Sequence, residues 1–201
     1  MATITVIGLG SMGMGMAQSL LRAGHVVHGL DISEARMAAF QAEGGAAGSV
    51  AEAAAASDVL VCVVLNAAQT REVLFGADGA AAHLRPGAVI LSCATIAPAE
   101  AREFAEAAAG RGLLYLDAPI SGGAAKAAQG QLSIMASGAA EAFAAAGPAL
   151  EAMAATVHEL GAEPGAGSAM KAVNQLLAGV HIAAMGEAVA LGISQGLDPA
   201  R

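Results

Sequence analysis

Residues 2–31 carry the feature that most restricts how this chain can fold. A β-favouring run, Ala2 to Ile7, stops at Gly8-Leu9-Gly10-Ser11-Met12-Gly13, and an aspartate follows at position 31. The order reads strand, glycine turn, helix, strand, acid, and each glycine has its own steric task. Gly8 permits the tight turn, Gly10 lets a backbone approach a pyrophosphate, and Gly13 lets the helix pack on the strand. Phosphates would meet the free N–H groups at the helix start, where the dipole is positive. Met14 to Ala23 supplies that helix, Gly24 stops it, and His25 to Leu30 is a second apolar strand that delivers Asp31. A carboxylate there accepts the ribose hydroxyls of NAD and repels the extra phosphate of NADP. With 26 glycines in the chain, the motif by itself would describe any glycine turn between a buried strand and a helix. Its place after a strand, before a helix and ahead of its acid points to dinucleotide binding. Arg36 competes, because arginine can hold a 2′-phosphate, but it lies a turn into the next helix, so the sequence favours NAD.

Composition sets the class. Hydrophobic residues make up 56% and charged ones 13%, which excludes disorder and implies extensive burial. The length allows one sizeable domain, or one and a fraction. A net charge of −8 argues against a nucleic-acid partner. The uncharged N-terminal stretch lacks a basic leader region and an uninterrupted apolar core, so it reads as strand plus helix. Leu176 to Leu191 is also apolar, yet Gln175, His181 and Glu187 interrupt it, which speaks against a membrane span. A cytoplasmic protein is expected. Cys62 and Cys93 sit in buried strands and read as small hydrophobes.

Further along, Ser33 can cap a helix to Glu43, a short strand is expected near Ala46, and Val50 to Ala56 is helical. Asp58 to Leu65 is a continuous apolar run, as in a central parallel strand buried on both faces. Asn66 lies just past it. The alternation then repeats: helix from Ala67 to Phe75, strand from Ala88 to Ser92, helix opened by Pro98, strand from Leu113 to Leu116. Another strand (Leu132 to Ala136), helix (Ala139 to Ala155) and strand (Thr156 to Leu160) follow. The expected fold is α/β, a Rossmann-type doubly wound, mostly parallel sheet. A last apolar helix runs from Ala166 toward Gly196.

Two later segments carry chemistry. Asp117-Ala118-Pro119-Ile120-Ser121-Gly122-Gly123 follows a strand end, where successive N–H groups can form a nest for a carboxylate. Lys171, Asn174, Gln175 and Ala178 share one face of the last helix. Near a helix N-terminus, a partly buried lysine has its pKa lowered, which suits a proton shuttle. A snorkelling surface lysine fits the same spacing.

These three motifs, in this order and spacing, resemble the β-hydroxyacid dehydrogenase family over the whole chain. The resemblance implies a nicotinamide-dependent alcohol dehydrogenase without metal. Gly8, Leu9, Gly10, Ser11, Met12, Gly13 and Asp31 would hold NAD, with Leu65, Asn66 and Thr95 along the cofactor toward the nicotinamide. Ser121, Gly122 and Gly123 would bind the substrate carboxylate, Asn174 and Gln175 would orient the substrate, and Lys171 would be the general base. Asn66-Ala-Ala-Gln-Thr70, Gln129-Gly-Gln-Leu132 and Leu176-Leu-Ala-Gly-Val-His181 resemble members that oxidise the four-carbon sugar acid L-threonate. Gln175 departs from the asparagine common in 3-hydroxyisobutyrate enzymes, and Cys93-Ala94-Thr95 departs from the usual Ser-Thr pair. His181, roughly 10 Å along the helix from Asn174, could read a longer substrate or satisfy an internal contact. The family continues into an all-helical domain that helps form a homodimer or higher homo-oligomer. The expected division is therefore a cofactor domain over 1–163 and, over 164–201, the first long helix of a truncated second domain, with an apolar surface awaiting cover.

Overall fold

The apolar run after Asp58 forms β3 (Val59–Cys62), the middle strand of a five-stranded sheet in this computed structural model, which describes residues 1–200. Val59 and Val61 enter one hydrophobic layer, Leu60 and Cys62 the other. Successive side chains of a strand point to opposite faces, so a strand covered on both sides must be apolar throughout. The flanking strands are β1 (Thr3–Ile7), β2 (Val26–Leu30), β4 (Val89–Ser92) and β5 (Leu114–Asp117), all parallel, in the order β2-β1-β3-β4-β5.

On one face lie α1 (Gly13–Arg22) and α7 (Ala140–Met153), which bury Met16, Leu20, Leu150 and Met153. On the other lie α3 (Val50–Ala56), α4 (Ala67–Phe75) and α5 (Pro98–Ala109), with Leu74 and Phe104 at the centre. The one polar group inside β1, Thr5, is satisfied by Ser57 Oγ at 2.7 Å, and Ser57 in turn donates to the Ala53 carbonyl. Buried hydroxyls are tolerated on those terms.

Register places the site. Leu30, Ile7, Cys62, Ser92 and Asp117, the last residues of the five strands, pair across the sheet in one row. The loops that follow them therefore leave from one edge. The strand order switches from leftward to rightward growth between β1 and β3, the kind of point where open α/β sheets bind ligands.

Several local features differ from the sequence reading. Ser33 stands at the cap position of α2 (Glu34–Ala42) but its side chain caps nothing; its N–H donates instead to Asp31. The strand near Ala46 is a single bridge to His28. Beyond β5 the parallel sheet gives way to a second, three-stranded one, in which β6 (Ile120–Ser121) runs antiparallel to β7 (Leu132–Ala136) and β8 (Ala154–Glu159) runs parallel to β7. A bridge between Asp117 and Ser137 joins the two sheets. Neither β6 nor α6 (Gly123–Gln129) was expected from the sequence, because two residues carry no periodicity and a short alanine helix carries no apolar stripe.

The last helix, α8 (Ala166–Ser194), buries only Gly167, Ser168 and Lys171. Leu176, Leu177, Val180, Ile182, Met185 and Leu191 are exposed along it. By length and composition it could cross a membrane, although Asn174, Gln175, His181 and Glu187 interrupt it.

Candidate active site

The glycine turn is held by sterics that a Cβ would break. Gly8 has φ +100°, and a side chain there would overlap the Val63 carbonyl; one at Gly13 would overlap the Gly8 carbonyl. Nothing lies within 4 Å of where a Cβ of Gly10 would sit. Among the described residues, the Ser11, Met12 and Gly13 N–H groups have no backbone partner. Open space above unpaired N–H groups at the start of α1 is the cradle that a pyrophosphate needs, so these residues fit a dinucleotide. Asp31 follows β2 beside the turn: its Oδ2 accepts from Leu9 N at 2.7 Å and its Oδ1 from Ser33 N at 2.9 Å. Arg36 reaches it after all, with Nη1 3.6 Å from Oδ1.

Between the five-strand edge and α8 runs a cleft of about 430 Å³. Its lining joins the turn (Gly10, Ser11, Met12, Gly13) to Leu65, Thr95, Ser121, Gly122, Gly123, Lys171 and Gln175. Sequence reasoning missed Val63, Val64 and Ile120 as lining residues and read Cys93 only as core. The strand register could have found them, since each stands within three residues of a paired strand end or bridge. Gly8 and Leu9 lie beneath the turn, and Asn174 is half-buried beside Gln175 without lining the cleft. His181 is exposed and outside it.

Asn66 has a structural role at the start of α4. Its Oδ1 accepts from Gln69 N at 2.9 Å and caps α4, while Gln69 Oε1 accepts from Leu65 N. This reciprocal pair fixes the loop that presents Leu65. Asn66→Ala is expected to cost about 1 kcal/mol in urea denaturation, and Asn66→Ser, which still caps, markedly less.

Lys171 is 8% exposed, and its Nζ donates to the Ile120 carbonyl at 2.8 Å. Burial pulls its pKa below the ordinary lysine range. The snorkelling alternative therefore does not describe it. One turn before Lys171, the start of α8 is held by Asp117 of β5, which is fully buried and receives Gly165 N at 2.9 Å, Ser168 N at 2.8 Å and Ser168 Oγ at 2.6 Å. This acid heads the expected carboxylate loop in sequence, yet it holds the first turn of α8. The two cysteines are inert: burial raises Cys62 to about 12 and raises Cys93 as well.

Comparison with known proteins gives concordant results. Residues 3–161 match the family model described as the NAD binding domain of 6-phosphogluconate dehydrogenase. Residues 165–201 match the NAD-binding segment of NADP-dependent 3-hydroxyisobutyrate dehydrogenase. The chain is 52% identical over 197 residues to L-threonate dehydrogenase of Cupriavidus necator, covering 98% of this chain and 66% of that protein. It is 39% identical to 3-hydroxyisobutyrate dehydrogenase of Pseudomonas aeruginosa, covering 100% and 67%. A crystal structure of 3-hydroxyisobutyrate dehydrogenase from Salmonella typhimurium superposes with a TM-score of 0.91 at 49% identity, over 96% of this chain and 68% of that one. The chain thus spans about two thirds of the length of the relatives it matches.

Proposed function

The chain belongs to the β-hydroxyacid dehydrogenase family, and we propose from that premise that it oxidises a small hydroxyacid, a sugar acid such as L-threonate, with NAD as hydride acceptor and Lys171 as base. The observation that carries this reading is one cleft lined at once by the glycine turn and by Lys171. When bound, NAD supplies the two-electron acceptor. Everything else falls to the residues of the chain.

Gly10, Ser11, Met12 and Gly13 would hold the pyrophosphate and Asp31 the ribose. Leu65 and Thr95 would border the nicotinamide end, where both line the cleft. The N–H groups of Ser121, Gly122 and Gly123 would receive the substrate carboxylate. Lys171, as the neutral amine, would take the hydroxyl proton while the Ile120 carbonyl fixes its nitrogen. Gln175 lines the same cleft and offers both a donor and an acceptor to a hydroxylated carbon chain, which suits a sugar acid better than a methylated one. Asn174 would support the substrate from its half-buried place beside Gln175. We assign residues 1–163 to the cofactor domain and 164–201 to the helix that leads into a second domain, a division supported by the break between the two matched segments. The exposed apolar length of α8 would be covered by further helices or a second copy in a cytoplasmic homo-oligomer.

Oxidation of 3-hydroxyisobutyrate is the second reading, favoured by the relative from Pseudomonas aeruginosa. A semialdehyde reductase using NADPH is disfavoured by Asp31. A third reading, a cofactor-binding module without turnover, is favoured by the uncovered α8. NADH formation with a panel of hydroxyacids, run beside calorimetric titration with NAD, separates them. Turnover with L-threonate supports the first reading, turnover with 3-hydroxyisobutyrate the second, and binding without turnover the third. A chain that binds no NAD sinks these three, and turnover with NADPH alone would favour the reductase.

A further inference from the structure

We infer that Lys126, on α6, is the counter-ion of the substrate carboxylate, a positive charge set beside the Ser121-Gly122-Gly123 loop that makes the cleft selective for anionic hydroxyacids. The inference rests on the hydroxyacid reading and adds to it the source of charge complementarity. Gly122 lines the cleft, and a Cβ built on it would lie 3.1 Å from both Cβ and Cδ of Lys126. Side chains of a helix lean toward its N-terminus, and here that lean carries the lysine stem back over the glycine loop, with the ammonium two bonds beyond Cδ. Lys126 is exposed, and among the described residues its ammonium has no hydrogen-bond or ion-pair partner. Arg22, which also reaches α6, is by contrast engaged with Ser19 Oγ and the Ala128 carbonyl.

The cleft itself has no permanent positive charge to offer. Among the described residues that line it, Lys171 is the one cation, and it must be the neutral amine when it takes a proton. Backbone N–H groups of the loop present dipoles to a carboxylate but no net charge. The whole chain carries a formal charge of −8, a field that repels an approaching anion. Lys126 holds no part of the fold through an ion pair, and its stem rests on a cleft-lining glycine. Its charge therefore offsets that field where the carboxylate arrives.

Calorimetric titration of L-threonate or 3-hydroxyisobutyrate, whichever the wild type binds, onto the NADH-saturated chain tests this. Reduced cofactor allows no hydride transfer, so the titration reads substrate binding whether or not the chain turns over. Lys126→Gln keeps much of the stem and drops the charge; it should weaken hydroxyacid binding about tenfold, as expected for one unit charge a few ångströms away at a solvated rim, and leave NAD affinity unchanged. Lys126→Arg should restore binding. Raising the ionic strength to about 1 M shortens the screening length to about 3 Å, so the gap between wild type and Lys126→Gln should close, whereas a purely structural role of the stem would leave it open. In steady-state turnover the loss should fall on KM rather than on kcat. Equal hydroxyacid binding by wild type and Lys126→Gln overturns the inference and leaves the hydroxyacid reading intact. A loss of NAD affinity in place of the hydroxyacid loss would assign the charge to the cofactor and overturn it as well. A wild-type chain that binds neither hydroxyacid overturns the hydroxyacid reading and the inference with it.

Discussion

Replacing Lys171 by alanine is expected to lower the rate of hydroxyacid oxidation by about 10²- to 10⁴-fold, the usual contribution of a positioned acid or base, while leaving NAD affinity unchanged. The two readouts are steady-state NADH formation and calorimetry. The split follows from the proposed arrangement: Lys171 lines the cleft and touches the Ile120 carbonyl, whereas the pyrophosphate would be held by the backbone N–H groups of residues 11–13. Only the neutral amine can accept a proton. The log of kcat/KM should therefore rise with pH and level off at a pKa below the ordinary lysine value of about 10.4, because burial disfavours the charged form. Lys171→Arg keeps the charge but cannot shed its proton, so it should be as slow as the alanine variant and lack the rising limb. A Lys171→Ala protein that retains its rate would remove this residue from the chemistry.

Much of this site was legible in the sequence, and the legible part has a common cause. Gly8 and Gly13 are demanded by contacts within the turn and with the loop that follows β3, so their spacing reports the geometry. The helical period likewise put Lys171 and Gln175 on one face, and both line the cleft. What sequence could not show depends on partners far apart along the chain or on competing local bonds. Arg36 is a turn into α2, yet a long, flexible side chain carries its charge back to Asp31. Asn66, besides its proposed place along the cofactor, caps α4 by accepting from Gln69 N, a local bond the strand-and-helix pattern does not announce. Ser33 is a capping residue type in a capping position, yet its hydroxyl accepts nothing from α2 while its N–H donates to Asp31. Asp117 is the furthest case: its partners are 48 and 51 residues away, and no local pattern signals them.

Asp117→Ala is accordingly expected to be the most destabilising single change outside the apolar core, by about 3–5 kcal/mol in urea denaturation, as expected when several buried donors lose the acceptor they share. The carboxylate is fully buried at the end of β5 and receives Gly165 N, Ser168 N and Ser168 Oγ, with Ser137 Oγ at 3.5 Å. Alanine would strand the donors at the first turn of α8, and each buried, unpaired N–H costs about 1–3 kcal/mol. The backbone around this network is closely packed, since a Cβ on Gly167 would lie 2.5 Å from the Met135 carbonyl and 2.6 Å from that of Asp117. Asp117→Asn retains one acceptor but turns an amide against the remaining donors, so it should fall between alanine and wild type. The consequence reaches the chemistry, since Asp117 ties the sheet to α8 one turn before Lys171. A protein loosened there should still bind NAD through residues 8–13 while the lysine loses its register with Ile120, so turnover should fail before cofactor binding does. Equal loss of both, or a cost for Asp117→Ala under about 1 kcal/mol, would show that α8 is held to the sheet by other contacts, because a cap of ordinary strength alone is worth that much.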